Sequence, residues 1–120
     1  MGNIEIKTQK TEVPVGNFFD LDIRFCFIEE VEDILKNPKK EFNEIDNPIK
    51  AYKLTVDTGF DKRTIVTNIV HFSKDSLKGM VTSFILNFPP SNIRGFESKG
   101  MIFMPNENTL LAGKLGDIIV

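Results

Sequence analysis

Apolar and polar positions alternate along residues 21–27, with Leu21, Ile23, Phe25 and Phe27 set against Asp22, Arg24 and Cys26. Successive side chains of a strand point to opposite faces, so a period of two predicts a half-buried first strand with Ile23, Phe25 and Phe27 toward the core. The alternation breaks over residues 31–48 (VEDILKNPKKEFNEIDNP), where Asn37-Pro38 and Asn47-Pro48 interrupt any ladder. This segment reads as the longest loop, with a turn of helix around Val31 to Leu35. Alternation returns in KAYKLTVD, with Tyr52, Leu54 and Val56 on one face and Lys53, Thr55 and Asp57 on the other. A hairpin through Asp57-Thr58-Gly59-Phe60-Asp61 leads into a third strand, RTIVTNIV, whose Arg63, Ile65, Thr67 and Ile69 oppose Thr64, Val66, Asn68 and Val70.

Ser73 to Gly79 has the marks of a short helix: Ser73 as N-cap, Asp75 in the first turn and Gly79 as the stop. A fourth, central strand follows as MVTSFILNF, with Met80, Thr82, Phe84, Leu86 and Phe88 in one row. Pro89-Pro90 ends it, because proline donates nothing to a ladder, and GMIFMP starts a fifth strand after the loop. Five strands with a helix between the third and fourth and a long first loop is the order of an all-β Greek-key OB barrel. The stretch NTLLAGKLGDIIV adds a C-terminal extension with an apolar tail that needs cover, in the core or in a partner.

Composition narrows the function. The length of 120 residues suits one domain. One Cys and one His allow neither an internal disulfide nor a zinc site. With no apolar leader and no run near the ~20 apolar residues of a membrane span, the expectation is a cytoplasmic protein without membrane attachment. The net charge of −2 argues against coating nucleic acid through bulk positive charge. The charge is uneven, however: from Lys50 to Gly100 eight Lys or Arg stand against four acids, while Glu29, Glu30, Glu32 and Asp33 cluster earlier. One face can therefore still meet a polyanion.

Catalytic groupings do not emerge. His71 has no Ser or Cys nearby in sequence and reads as a structural or surface histidine, and Cys26 reads as an unreactive thiol. The acids at strand ends show no metal-loop spacing, and Gly95 and Gly100 form no phosphate loop. The expectation is a binding module, not an enzyme, with no cofactor and no metal. Donors gather in the loop after the fourth strand, at Asn87, Ser91, Asn92, Arg94, Ser98 and Lys99, joined by Lys53, Lys62 and Arg63 from the hairpin. Such groups reach phosphates, sugar hydroxyls and exposed base edges.

The run Asn87 to Met101 (NFPPSNIRGFESKGM) resembles the C-terminal signature of the tRNA-binding OB-fold family. That family includes free-standing structure-specific tRNA-binding proteins, the C-terminal appendage of some methionyl-tRNA synthetases, the endothelial monocyte-activating polypeptide domain and the chaperone-like CsaA. Asn-Phe-Pro-Pro is similar to CsaA, whereas Arg94-Gly95, Glu97-Ser98 and Gly100-Met101 are similar to the general tRNA-binding members. Asp20 to Arg24, Tyr52-Lys53-Leu54 with Val56-Asp57 and Gly59, and Arg63 to Val66 fall in matching order, so the resemblance covers roughly residues 18–120. It implies one domain over 1–120, with an N-terminal extension (1–17) and a C-terminal extension (106–120) as a homodimer contact.

It also implies recognition of the folded corner of tRNA by Lys53, Lys62, Arg63, Asn68, Asn87, Ser91, Asn92, Arg94, Ser98 and Lys99. Phe88 and Phe96 are expected mainly in core packing. The implied partners are tRNA, an aminoacyl-tRNA synthetase, or, on the CsaA reading, an unfolded preprotein. Two departures stand out: Ser91-Asn92 occupy a place where strong tRNA binders carry basic residues, and Thr67-Asn68 replace a frequent Ser-Gly.

Overall fold

The computed structural model describes residues 20–120. The expected N-terminal extension, residues 1–17, lies outside the described residues. Seven strands and one short helix follow in order: β1 (Ile23–Leu35), β2 (Ile49–Asp57), β3 (Lys62–Thr67), α1 (Lys74–Leu77), β4 (Val81–Ile85), β5 (Ser91–Ile93), β6 (Phe96–Ser98) and β7 (Met101–Ile102). The main sheet is antiparallel with order β3-β2-β1-β4-β7, and it curls until β3 and β7 approach each other. This is the predicted OB-type barrel, with the helix between the third and fourth strands. The predicted loop after β4 instead holds a two-stranded hairpin, β5–β6.

The first strand runs much further than the alternation suggested. Val31 to Leu35, expected as a helical turn, stays in β1 and pairs with β2: Val31 lies opposite Leu54, Glu32 opposite Lys53 and Ile34 opposite Ala51. The reason is charge pairing from two sides. Glu29, Glu30, Glu32 and Asp33 sit 2.9–3.2 Å from Lys62, Lys78, Lys53 and Lys74 respectively, so a run that looks like a solvated loop has partners on β2 and β3 and on the short helical segment Lys74–Leu77 and its cap Lys78.

A register shift between Ile28 and Glu30 lets Ile28 and Val31 both pack on the main core. Cys26 and Ile28 enter the main core, while Phe25 and Phe27 are only half-buried. This reverses the predicted facing of the row. The tail accounts for the other side: Phe25 donates its N–H to the Asp117 carbonyl (2.8 Å) and accepts from Gly116, and Ile119 donates to Ile23 (2.7 Å). Gly113 lies against the Phe25 ring so closely that a Cβ there would stand 2.6 Å from it. Part of the apolar tail thus finds cover along β1, while Leu115 and Ile118 stay exposed.

The main core joins Cys26, Ile28, Tyr52, Leu54, Val56, Ile65, Ile69, Leu77, Phe84 and Leu86. Leu77 reaches it from α1, whose Ser73 cap accepts from the Ser76 N–H as predicted. Burial pushes the Cys26 thiol up to about 11, and the group stays protonated and unreactive. A smaller cluster of Ile34, Ala51 and Val66 lies on the other face of the sheet, and Phe96 of the β5–β6 hairpin packs on it. That contact lays the hairpin across the outer face of β2 and β3.

Candidate functional site

On the outer face, β2 contributes Ala51, Lys53 and Thr55, and β3 contributes Lys62, Thr64 and Val66, a direct consequence of the period-two pattern, with Asn68 just beyond the end of β3. Two recesses adjoin this face. One is a cleft of about 430 Å³ lined by Lys53, Thr55, Lys62, Arg63, Thr64, Phe96, Glu97 and Lys99. The other is a groove of about 780 Å³ that includes Asn68, His71, Ile93, Arg94, Met101 and Met104. The face of the second and third strands and the two flanking long loops form the binding region of an OB barrel.

The cleft cations are already engaged. Lys53 lies 3.2 Å from Glu32 and 4.9 Å above the Phe96 ring, a cation–π geometry. Lys62 lies 2.9 Å from Glu29, whose hydrogen bond holds its ammonium more firmly charged than usual. Lys99 stands 3.6 Å from Glu97. Pairs of this kind on an exposed surface are worth about 0–1 kcal/mol, so a phosphate can displace the carboxylates.

Arg63 differs from the lysines because every arm of its guanidinium faces inward. Nε and Nη2 fork onto Asp61 at 3.1 and 2.7 Å, and Nη1 donates to the carbonyls of Leu86 (3.0 Å) and Lys99 (3.1 Å). The fork holds the Asp61 carboxyl below the usual carboxylate range. Arg63 therefore ties the start of β3 to both ends of the hairpin loop, and it positions the cleft.

The hairpin places Arg94 differently again. Ile93 pairs with Phe96, leaving Arg94 and Gly95 as a two-residue turn with φ of 50° and 88°. Both values are positive, as a type I′ turn demands. A non-glycine residue in that conformation costs about 1 kcal/mol. Asn92 helps hold the turn by accepting from the Gly95 N–H at 3.1 Å. Arg94 itself is exposed and has no hydrogen bond or ion pair among the described residues.

The remaining predicted residues serve the scaffold or stand apart. Ser98 is 1% exposed, and its hydroxyl accepts from the Val66 N–H (3.0 Å) and donates to the Gly100 carbonyl (3.1 Å). Asn87 donates to the Asp20 carbonyl and accepts from the Asp22 N–H at 2.8 Å. Ser91 is exposed at the base of the hairpin and lines neither recess. Phe88 likewise lines neither. The structure thus brings Lys53, Lys62, Arg63 and Lys99 together in the cleft, and Asn68 and Arg94 in the groove.

Sequence reasoning missed Thr55, Thr64, Met101, Met104 and the groove position of His71, whose ring contacts the Glu107 carbonyl. The parity of β2 and β3 was a signal for the threonines. Met101 lies within the signature run, in Gly100-Met101, whereas nothing local in sequence pointed to Met104 or to the groove position of His71.

Among the described residues, no group of three His, Cys, Asp or Glu is placed to hold a metal ion, and no helix is long and apolar enough to cross a membrane.

The sequence model of a family described as "Putative tRNA binding domain" matches residues 40–119. A methionine–tRNA ligase of Cytophaga hutchinsonii is 33% identical over 108 residues, which are 89% of this chain and 14% of the ligase. The chain therefore spans about one seventh of that relative's length. Among solved structures, the CsaA chaperone protein of Picrophilus torridus is 27% identical with a TM-score of 0.70, covering 91% of this chain and all of that one. A MetRS-related protein of Pyrococcus horikoshii has the same TM-score at 22% identity, covering 92% of this chain and 100% of the other, and shares the fold.

Proposed function

The chain belongs to the tRNA-binding domain family, a family of non-catalytic binding domains, and from that membership we propose that it binds the folded corner of tRNA through the β2–β3 face. The observation that carries this reading is the strained, unpartnered Arg94 at the tip of a hairpin stapled to that face. In this reading Arg94 and Lys99 contact phosphates directly. Lys53 and Lys62 exchange Glu32 and Glu29 for phosphate oxygens. Arg63, Ser98, Asn87 and Asn92 hold the frame, while Asn68 faces the nucleotides and Ser91 borders the backbone.

The domain acts in the cytoplasm, either alone or as an appendage that delivers tRNA to an aminoacyl-tRNA synthetase. A second copy seats on Leu115 and Ile118, which stay exposed although their segment is bonded to β1. The experiment is a mobility shift with total tRNA against duplex RNA of equal length. Preference for tRNA is expected, and equal affinity for both would remove the corner from the account.

A second reading has a specific observation behind it. Ile93 and Met101, 37% and 52% exposed, line an apolar groove, and adaptable methionine surfaces suit unfolded chains. On this reading the domain is a CsaA-like chaperone for unfolded preproteins. Suppression of aggregation of an unfolded client, undiminished by saturating tRNA, would favour it.

A further inference from the structure

Resting on the tRNA-binding reading, we propose that the groove beside the hairpin is a pocket for one unstacked nucleobase, with Arg94 on the flanking phosphate. Ile93, Met101 and Met104 supply apolar surface, and their methyl and thioether groups can cover the face of a base. His71 brings a planar ring of the kind that stacks on splayed-out bases. Asn68 is exposed, its amide has no partner among the described residues, and one donor beside one acceptor matches the edge of a base. The volume of about 780 Å³ falls within the range of small-molecule pockets, roughly 300–1,000 Å³.

A peptide fits the same groove less well. Extended peptides bind by adding to a bare sheet edge, and the free edge of β3 is already engaged. Its Val66 N–H donates to Ser98 Oγ at 3.0 Å, and its Thr64 carbonyl accepts from the Lys99 N–H at 2.9 Å. Glu107 also lines the groove, but its carbonyl is occupied by His71. The groove thus carries one cation, Arg94 on the hairpin side, and one carboxylate, Glu107, a balance that suits a neutral base with its flanking phosphate on Arg94.

The test uses the full chain labelled with ¹³C at the methionine methyls, titrated with total tRNA, with a hairpin RNA bearing a single-stranded loop, and with a blunt RNA duplex. Met80, packed against the main core, is the internal reference. A base in the groove shifts the Met101 and Met104 methyls upfield by its ring current and leaves Met80 still, with tRNA and hairpin RNA but not with duplex. N68A together with H71A weakens tRNA and hairpin binding about tenfold, as expected for the loss of one base's stacking and edge contacts, with duplex binding unchanged. The Met80 signal reports that this variant is folded.

Binding of tRNA with Met101 and Met104 unmoved would overturn the pocket while leaving the phosphate-contacting face intact. Shifts driven by an apolar unfolded peptide that displaces RNA would overturn it in favour of the chaperone reading. Failure of every RNA to bind would overturn the pocket and the tRNA reading together.

Discussion

The cleft and the groove both border the β5–β6 hairpin, and they hold their cations in opposite states. In the cleft each cation has an internal partner: Lys53 with Glu32, Lys62 with Glu29, Lys99 with Glu97 and Arg63 with Asp61. In the groove, Arg94 and Asn68 have none among the described residues. Charge density and readiness to bind are thus different properties. The β1 carboxylates turn a lysine-rich strip into an almost neutral ladder, whereas the type I′ turn spends conformational energy to hold one guanidinium in water.

The strongest way to break this comparison is to remove the arginine on the cleft side. If Arg63 is structural, R63A should lower stability by about 2–3 kcal/mol, because charge-assisted hydrogen bonds to two carbonyls and a carboxylate are lost. tRNA affinity of the folded fraction should change far less, and chemical denaturation with parallel binding curves separates the two. An affinity loss without a stability loss would place Arg63 among the ligand contacts.

The serine beneath the hairpin comes next. S98A leaves the Val66 N–H buried without a partner and should cost about 1–2 kcal/mol, seen as a lower denaturation midpoint with an unchanged Kd for tRNA in the folded protein. Third, the carboxylates that neutralise the cleft should act as competitors of phosphate. E29Q with E32Q should raise tRNA affinity about threefold with a stability change of less than about 1 kcal/mol. A fall in affinity would mean that these pairs orient the lysines for binding.

The smallest effect is on pH. Asp61 is held below its ordinary 3.8 by the Arg63 fork, so its contribution is complete above 3.8 and lost as pH falls through its lower folded value. Thermal melts across acidic pH should show that limb in the wild type and not in D61N.

Local pattern made the hairpin β2–β3, the Ser73 cap and the core strand around Phe84 legible, because period-two burial and capping are short-range properties. The carry-over of β1 to Leu35 was hidden, since Glu29 to Asp33 find their partners only in lysines 21–48 residues away. The same long-range geometry decided the fate of the donors. Arg63, Ser98 and Arg94 look alike as loop-adjacent polar residues, yet one is clamped by Asp61, one is buried under β3, and one is projected by a turn that Gly95 alone advertised. The signature loop identified the family; which of its side chains are free is a property of the fold.

The central claim is that Arg94 and Lys99 carry the direct phosphate contacts. The most direct measurement is the salt dependence of tRNA affinity for the wild type and for R94A with K99A. Weaker binding of the double variant at every salt concentration is expected, with a slope of log K against log salt shallower by about 2, one for each contact removed. Identical slopes and affinities for the two proteins would contradict it.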